Sequence, residues 1–174
     1  MIERLLQHRP RVLFALAALC LAAVIGALLA QHVGGVRPCP WCVLQRGVFL
    51  LIAAVAALGG LAAVAAQSAQ ATVVRVAAVP LIVLALAGLV AATYQHEVAA
   101  ESASCAMTAA DKILTALDLE MRWPEVFMVT ADCREAAAYR FLGLGYEIWS
   151  GLLFALIGAV GLSLALRRPA PETK

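Results

Sequence analysis

Charge is what this sequence has least of. Only 14% of its 174 residues are Asp, Glu, Lys or Arg, against 64% that are hydrophobic. Four long stretches carry no charge at all: Val12 to Ala30, Gly47 to Ala66, Val76 to Thr93 and Ile148 to Leu166. With a mean hydropathy of +0.91, the chain is excluded from the ordinary water-soluble class and has a bilayer as its main solvent. No basic cluster is present to grip nucleic acid, and a net charge of +2 selects no partner. Internal repeats and low-complexity linkers are also missing, apart from alanine-rich helix. His8, His32 and His96 form no paired motif, which removes the usual complement of a zinc-binding C-x-x-C and argues against a metal site.

What is there in abundance is membrane helix. A hydrocarbon core of about 30 Å is crossed by about 20 helical residues. The uncharged stretches therefore predict four spans, at about 12–30, 43–66, 74–94 and 146–166, in a single membrane domain over 1–174. The expected fold is all-α, a four-transmembrane-helix bundle with loops at 31–42 and 95–145 on one side. Arg4, Arg9 and Arg11 precede the first span as in a signal peptide. Its apolar run of 19 residues is longer than an h-region of about 7–15, and no clear A-x-A site ends it, so it reads as a retained helix.

Orientation is read from the basic residues. With both termini and the short loop around Gln67 to Gln70 on one side, that side holds Arg4, Arg9, Arg11, Arg75, Arg167, Arg168 and Lys174. The long 95–145 loop holds Lys112, Arg122, Arg134 and Arg140 among a larger number of acidic residues. Both termini are expected inside. The loops that face out then carry four of the five cysteines, in agreement with the confinement of lasting disulfides to oxidising compartments such as the bacterial periplasm.

Those four cysteines fall into two pairs. Cys39-Pro40-Trp41-Cys42 opens the second span, and Cys105 and Cys133 lie in the long polar loop. Proline is favoured at the first position of a helix, where its missing N–H costs nothing. Cys39 is thus predicted as N-cap and Cys42 as N3, facing the free N–H groups and the positive end of the helix dipole, which favours thiolate. Arg46, one turn further on, is predicted to reach Cys42 or an anion beside it. An arginine at the edge of hydrocarbon is costly, and its plain alternative is to snorkel to the interface. Two structural disulfides are the bland reading of the four cysteines, but they do not account for a C-x-x-C at the membrane edge beside an arginine. Cys20, mid-span, reads as a packing residue. In the long loop Thr108 and Asp111 have the spacing of a capping box. Ile113, Leu117 and Met121 follow at four-residue spacing, and Trp123-Pro124 ends the pattern. A short amphipathic helix over about Ala109 to Leu119 is expected, either flat on the membrane interface or as an ordinary capped surface helix.

The ordered set of motifs resembles the DsbB family of inner-membrane disulfide-generating proteins. It comprises the C-x-x-C opening the second span, Gln45-Arg46, Thr93-Tyr94-Gln95-His96, the lone Cys105, Val126 to Val129 leading to Asp132-Cys133, and Phe141-Leu142-Gly143-Leu144 before the last span. The resemblance covers most of the chain and implies a function. A periplasmic DsbA-like partner attacks a Cys105–Cys133 disulfide at Cys105, the freed Cys133 attacks Cys39, and Cys42 passes electrons to a quinone, ubiquinone or menaquinone. It also implies that Arg46 and His96 serve the quinone. Trp41 either packs on the quinone ring or belongs to an aromatic belt with Trp123 and Trp149. Other readings stay open: a family member with another dedicated thiol partner, a bundle of the vitamin K epoxide reductase type, or a disulfide-stapled scaffold without activity.

Overall fold

The structure, a computed structural model, describes residues 9–99 and 107–166. In chain order it begins with α1 (Arg9–His32) and α2 (Pro40–Ala65). A 3₁₀ turn (Gln67–Ala69) leads into α3 (Gln70–Tyr94), which continues as a π-helical turn (Gln95–Ala99). Four short helices follow: α4 (Ala109–Ala116), α5 (Leu119–Arg122), α6 (Pro124–Phe127) and α7 (Cys133–Ala136). A hairpin of β1 (Arg140–Phe141) and β2 (Leu144–Gly145) then feeds α8 (Tyr146–Leu166).

The four long helices are each long and apolar enough to cross a membrane. In hydrocarbon a helix is the open segment that satisfies every backbone group internally. They overlap the four uncharged stretches; α1, α2 and α3 begin three or four residues ahead of the expected 12, 43 and 74, α2 because Cys39 and Pro40 start it. Neighbours in the bundle are α1 with α2, α2 with α3, and α3 with α8. The molecule is an all-α membrane bundle of four helices.

The inward faces are built from small residues between a few large ones. Ala53, Ala56, Ala78 and Ala85 are buried beside Ile52, Leu81, Phe154 and Ile157, while Leu58, Val83, Leu86 and Leu156 point outward. This is the logic of lipid, where both faces are apolar and close approach of backbones decides which one packs. Phe49 of α2 and Phe154 of α8 stack with centroids 4.1 Å apart and planes 8° from parallel. Gly88 of α3 makes room for that pair: a Cβ there would lie 2.4 Å from Phe154 Cε1. Cys20 is buried in the same core beside Leu16 and Val24, as a packing residue should be.

Residues 107–129 pack on the N-terminal end of α2. The capping box forms, with Thr108 accepting from Asp111 N and the Asp111 carboxylate accepting from Thr108 N. The helix it starts stops at Ala116, short of the expected Leu119, because Asp118 adopts a left-handed conformation at φ 54. Aspartate tolerates that region better than most residues. Trp123-Pro124 ends α5, and Pro124 then serves as the first residue of α6. Leu114 of α4 and Phe127 of α6 pack on Val43 of α2, whereas Ile113, Leu117 and Met121 form an exposed apolar stripe. The β-hairpin, absent from the sequence-based expectation, turns through Leu142 and Gly143, both at positive φ, the geometry a two-residue hairpin requires.

Candidate functional site

The site begins at the first turn of α2. Cys39 is the N-cap in extended conformation, Pro40 follows it, and the Cys39 sulfur accepts from Cys42 N at 3.3 Å. The proline spacing predicted this arrangement. It sets the Cys39 and Cys42 sulfurs 2.7 Å apart, with Cys39 fully buried.

Cys133 reaches the same place from the far end of the long segment. Asp132 caps α7 by accepting from Glu135 N, so Cys133 opens that helix. The Pro38 carbonyl, next to Cys39 in the chain, accepts from both Thr130 N and Ala131 N. Arg37 donates to the Thr130 carbonyl and forms an ion pair with Glu135. These bonds bring Cys133 into one buried cluster with Cys39, Trp41, Cys42 and Ala99. The Cys39 sulfur therefore has Cys42 on one side and Cys133 on the other. Burial, and then its sulfur neighbours, push the Cys39 thiol far above the ordinary range. The hydrogen bond from Cys39 holds Cys133 below it. Of these two, Cys133 is the one whose thiolate is favoured, and Cys39 is the sulfur it faces. Cys105, the fourth cysteine singled out from sequence, lies outside the described residues.

Cys42 meets a different set of partners. Gln95 Nε2 donates to its sulfur at 3.2 Å, and Gln45 Nε2 donates to Gln95 Oε1 at 2.7 Å. Both glutamines are buried. Gln95 still carries the α-helical conformation of α3, its N–H bonding back to the Ala91 carbonyl, and it opens the π turn that follows Tyr94; such turns occur mostly as single insertions, often at functional sites. Arg46 is buried as well, yet its guanidinium donates to Gln31 Oε1 at 2.5 Å and to the Val126 carbonyl at 3.1 Å. The sequence predicts that Arg46 reaches Cys42 or an anion beside it: Gln95 makes the hydrogen bond to Cys42, while Arg46 ties α1 and α6 to α2 and lines the same cavity as that sulfur.

Cys42, Gln95 and Arg46 form the polar end of a cavity of about 430 Å³, whose other walls include Val24, Phe49 and Leu153. That size and apolar character suit a small organic ligand. His96 is not on the cavity wall. It is half exposed, and its Nδ1 lies 3.1 Å from Glu147 Oε1. Glu147, which the motif reading passed over, is buried and does line the cavity. Trp41 is not on the wall either. It packs on Tyr94 at a centroid distance of 4.9 Å, and Trp149 of α8 lines the cavity instead. Gln45, Gln95 and Glu147 carried one detectable signal: each is a polar side chain inside or at the end of an apolar span.

A short cap that pairs two cysteines, a third cysteine against the first, and a cavity at the second form an ordered path. The DsbB family profile, described as disulfide bond formation protein DsbB, matches residues 9–164. The chain belongs to the DsbB family. A relative from Polaromonas naphthalenivorans, named disulfide bond formation protein B, is 35% identical over 91% of this chain and 92% of its own length. Proteins of the same name from Marinobacter nauticus and Nitrosomonas eutropha are 33% and 30% identical, covering 93% and 86% of this chain and 95% and 91% of their own lengths. Membership of this family accommodates the buried sulfur cluster and the polar groups at the cavity end within one membrane bundle.

Proposed function

We propose that this chain is a protein-dithiol:quinone oxidoreductase of the bacterial inner membrane. It re-oxidises a periplasmic DsbA-like dithiol protein and passes the electrons through its two cysteine pairs to ubiquinone or menaquinone. The observation that carries this reading is the place of Cys42, whose sulfur is 2.7 Å from Cys39 and on the wall of the cavity. The residues there fit a quinone: apolar side chains for a flat ring, and Gln95 and Arg46 as donors for its oxygens.

In this reading Cys105 takes the partner in a mixed disulfide and Cys133 is released. The Cys133 thiolate attacks Cys39, and Cys42 departs as a thiolate stabilised by the Gln95 donor. A quinone supplies a two-electron acceptor at that point. Two thiols of the partner are oxidised to one disulfide, two electrons leave through Cys42, and two protons complete the quinol. Arg46, fixed by Gln31 and Val126, offers preorganised positive charge where negative charge develops, the most effective form of electrostatic stabilisation. Both termini are cytoplasmic in this proposal and the cysteine pairs periplasmic, consistent with Arg9, Arg11 and Arg75 at the opposite end of the spans.

The test is quinone reduction by the purified protein in detergent with a reduced DsbA-like protein, comparing wild type with Cys42→Ala. Turnover that disappears in a folded Cys42→Ala protein is expected. A wild type inactive with both ubiquinone and menaquinone analogues and several thiol partners would sink the proposal and favour a stapled scaffold.

A further inference from the structure

We propose that Glu147 delivers protons to a quinone in the cavity and that His96 resupplies it from the outer face. This rests on the thiol-to-quinone reading above. Reduction of a quinone to a quinol takes two electrons and two protons, one proton to each ring oxygen. The electrons arrive through Cys42. The two protons given up come from the thiols of the soluble partner, outside the cavity, so the protons for the quinol need their own way into an apolar cavity.

Glu147 has the position for that task. It is 8% exposed in the first turn of α8 and lines the same cavity as Cys42, Gln95 and Arg46. A carboxyl placed so at the end of a membrane span is expensive and is a functional candidate by default. The hairpin makes room for it: a Cβ on Gly145 would stand 2.2 Å from Glu147 Oε1, so any side chain at 145 would displace the carboxyl. The same Oε1 lies 3.1 Å from His96 Nδ1. His96, in the π turn of the neighbouring element, keeps 51% of its side chain in contact with solvent. Solvent, His96, Glu147 and cavity thus follow one another in order. Histidine is the side-chain type best suited to passing protons near neutral pH.

The step balances. The Glu147 carboxyl gives its proton to a ring oxygen as the electrons arrive, one O–H bond breaks and one forms, and the carboxylate regains a proton from His96. Two such transfers match the two protons lost by the thiols. Among the described residues, the other polar and charged groups on the cavity wall are Cys42, Gln45 and Arg46 of α2, Gln95 of the π turn, Tyr146, Trp149 and Ser150 of α8, and Arg37 of the α1–α2 loop.

Three measurements on the full-length protein in detergent test the assignment: reduction of a ubiquinone analogue, disulfide exchange with a reduced DsbA-like protein in the absence of quinone, and analogue binding by tryptophan quenching. In Glu147→Gln, quinone reduction is expected to fall about 100-fold, with thiol exchange and analogue binding within about twofold of wild type. In His96→Ala it is expected to fall about tenfold and to recover with added imidazole, a rescue that disappears when Glu147→Gln is also present. Wild-type rates in Glu147→Gln, parallel loss of analogue binding in that variant, or no imidazole rescue would each overturn the assignment. A wild type that exchanges thiols but reduces no quinone removes the parent reading and this one with it. A wild type that reduces quinone beside an equally fast Glu147→Gln removes this one alone.

Discussion

Arg37 and Glu135, 98 positions apart in the chain, form an ion pair that ties the segment before Cys39 to the helix that begins at Cys133. Arg37 also donates to the Thr130 carbonyl, and the Pro38 carbonyl accepts from Thr130 and Ala131. The clamp acts on the register between two sulfurs more than on the stability of the bundle. Its side chains are about half exposed, and pairs of that kind contribute no more than about 1 kcal/mol.

Arg37→Ala should therefore leave thermal stability nearly unchanged while slowing attack of Cys133 on Cys39, the step that passes the disulfide from Cys39–Cys42 to Cys133, by roughly tenfold, since small displacements of reacting atoms are costly in rate. Acid quenching followed by alkylation and mass spectrometry reads the transfer. An unchanged transfer rate would mean that the Pro38 carbonyl bonds hold the register without the arginine.

Cys133 should remain nucleophilic at unusually low pH. Its thiolate is favoured by the hydrogen bond from Cys39, so its folded pKa is lowered. The thiolate is present above that pKa and lost as pH falls through it. The alkylation profile of Cys133 is therefore expected to have its midpoint below the roughly 8.5 of a free cysteine. Replacing Cys39 by Ala removes the donor and should move the midpoint upward. The midpoint is the readout, because burial of Cys133 lowers the amplitude in both proteins. A profile that does not respond to Cys39→Ala would refute the assigned hydrogen bond.

Gly88→Ala should destabilise the bundle, since the new methyl would come within 2.4 Å of a ring carbon of the fully buried Phe154. Overpacking of this type costs about 1–3 kcal/mol. Phe154 stacks on Phe49, which lines the cavity, so ligand affinity should weaken with it. Gly151→Ala is the control: its methyl would meet Ala92 Cβ at 3.6 Å, an ordinary contact. Thermal unfolding in detergent compares the two, and equal melting temperatures would contradict the packing described.

Several features of the site were legible because they are local. Pro40 at the first helical position dictates that Cys39 caps α2 and that Cys42 falls in its first turn. Thr108 and Asp111, three apart, suffice to start α4. The end of that helix was not legible: Asp118 leaves helical conformation by adopting a left-handed geometry that aspartate allows without requiring. The inward faces of the spans were equally hidden, because Leu, Val and Ala surround each helix and no polar face marks the outside.

The amino-acid sequence by itself determined the four spans, the cap that pairs Cys39 with Cys42, and the membership of Cys133 and Arg46 in the set of candidates. Each follows from hydropathy or from a motif a few residues long. Only the tertiary structure decided that Gln95 rather than Arg46 bonds Cys42, that Cys133 lies against Cys39, and that His96 meets Glu147 beside the cavity. Those relationships join residues some fifty to ninety positions apart. Such contacts depend on how helices pack against one another and against the hairpin that leads into α8. Short-range propensity fixes backbone conformation one turn at a time, and it carries no information about which turn of one helix will face which turn of another.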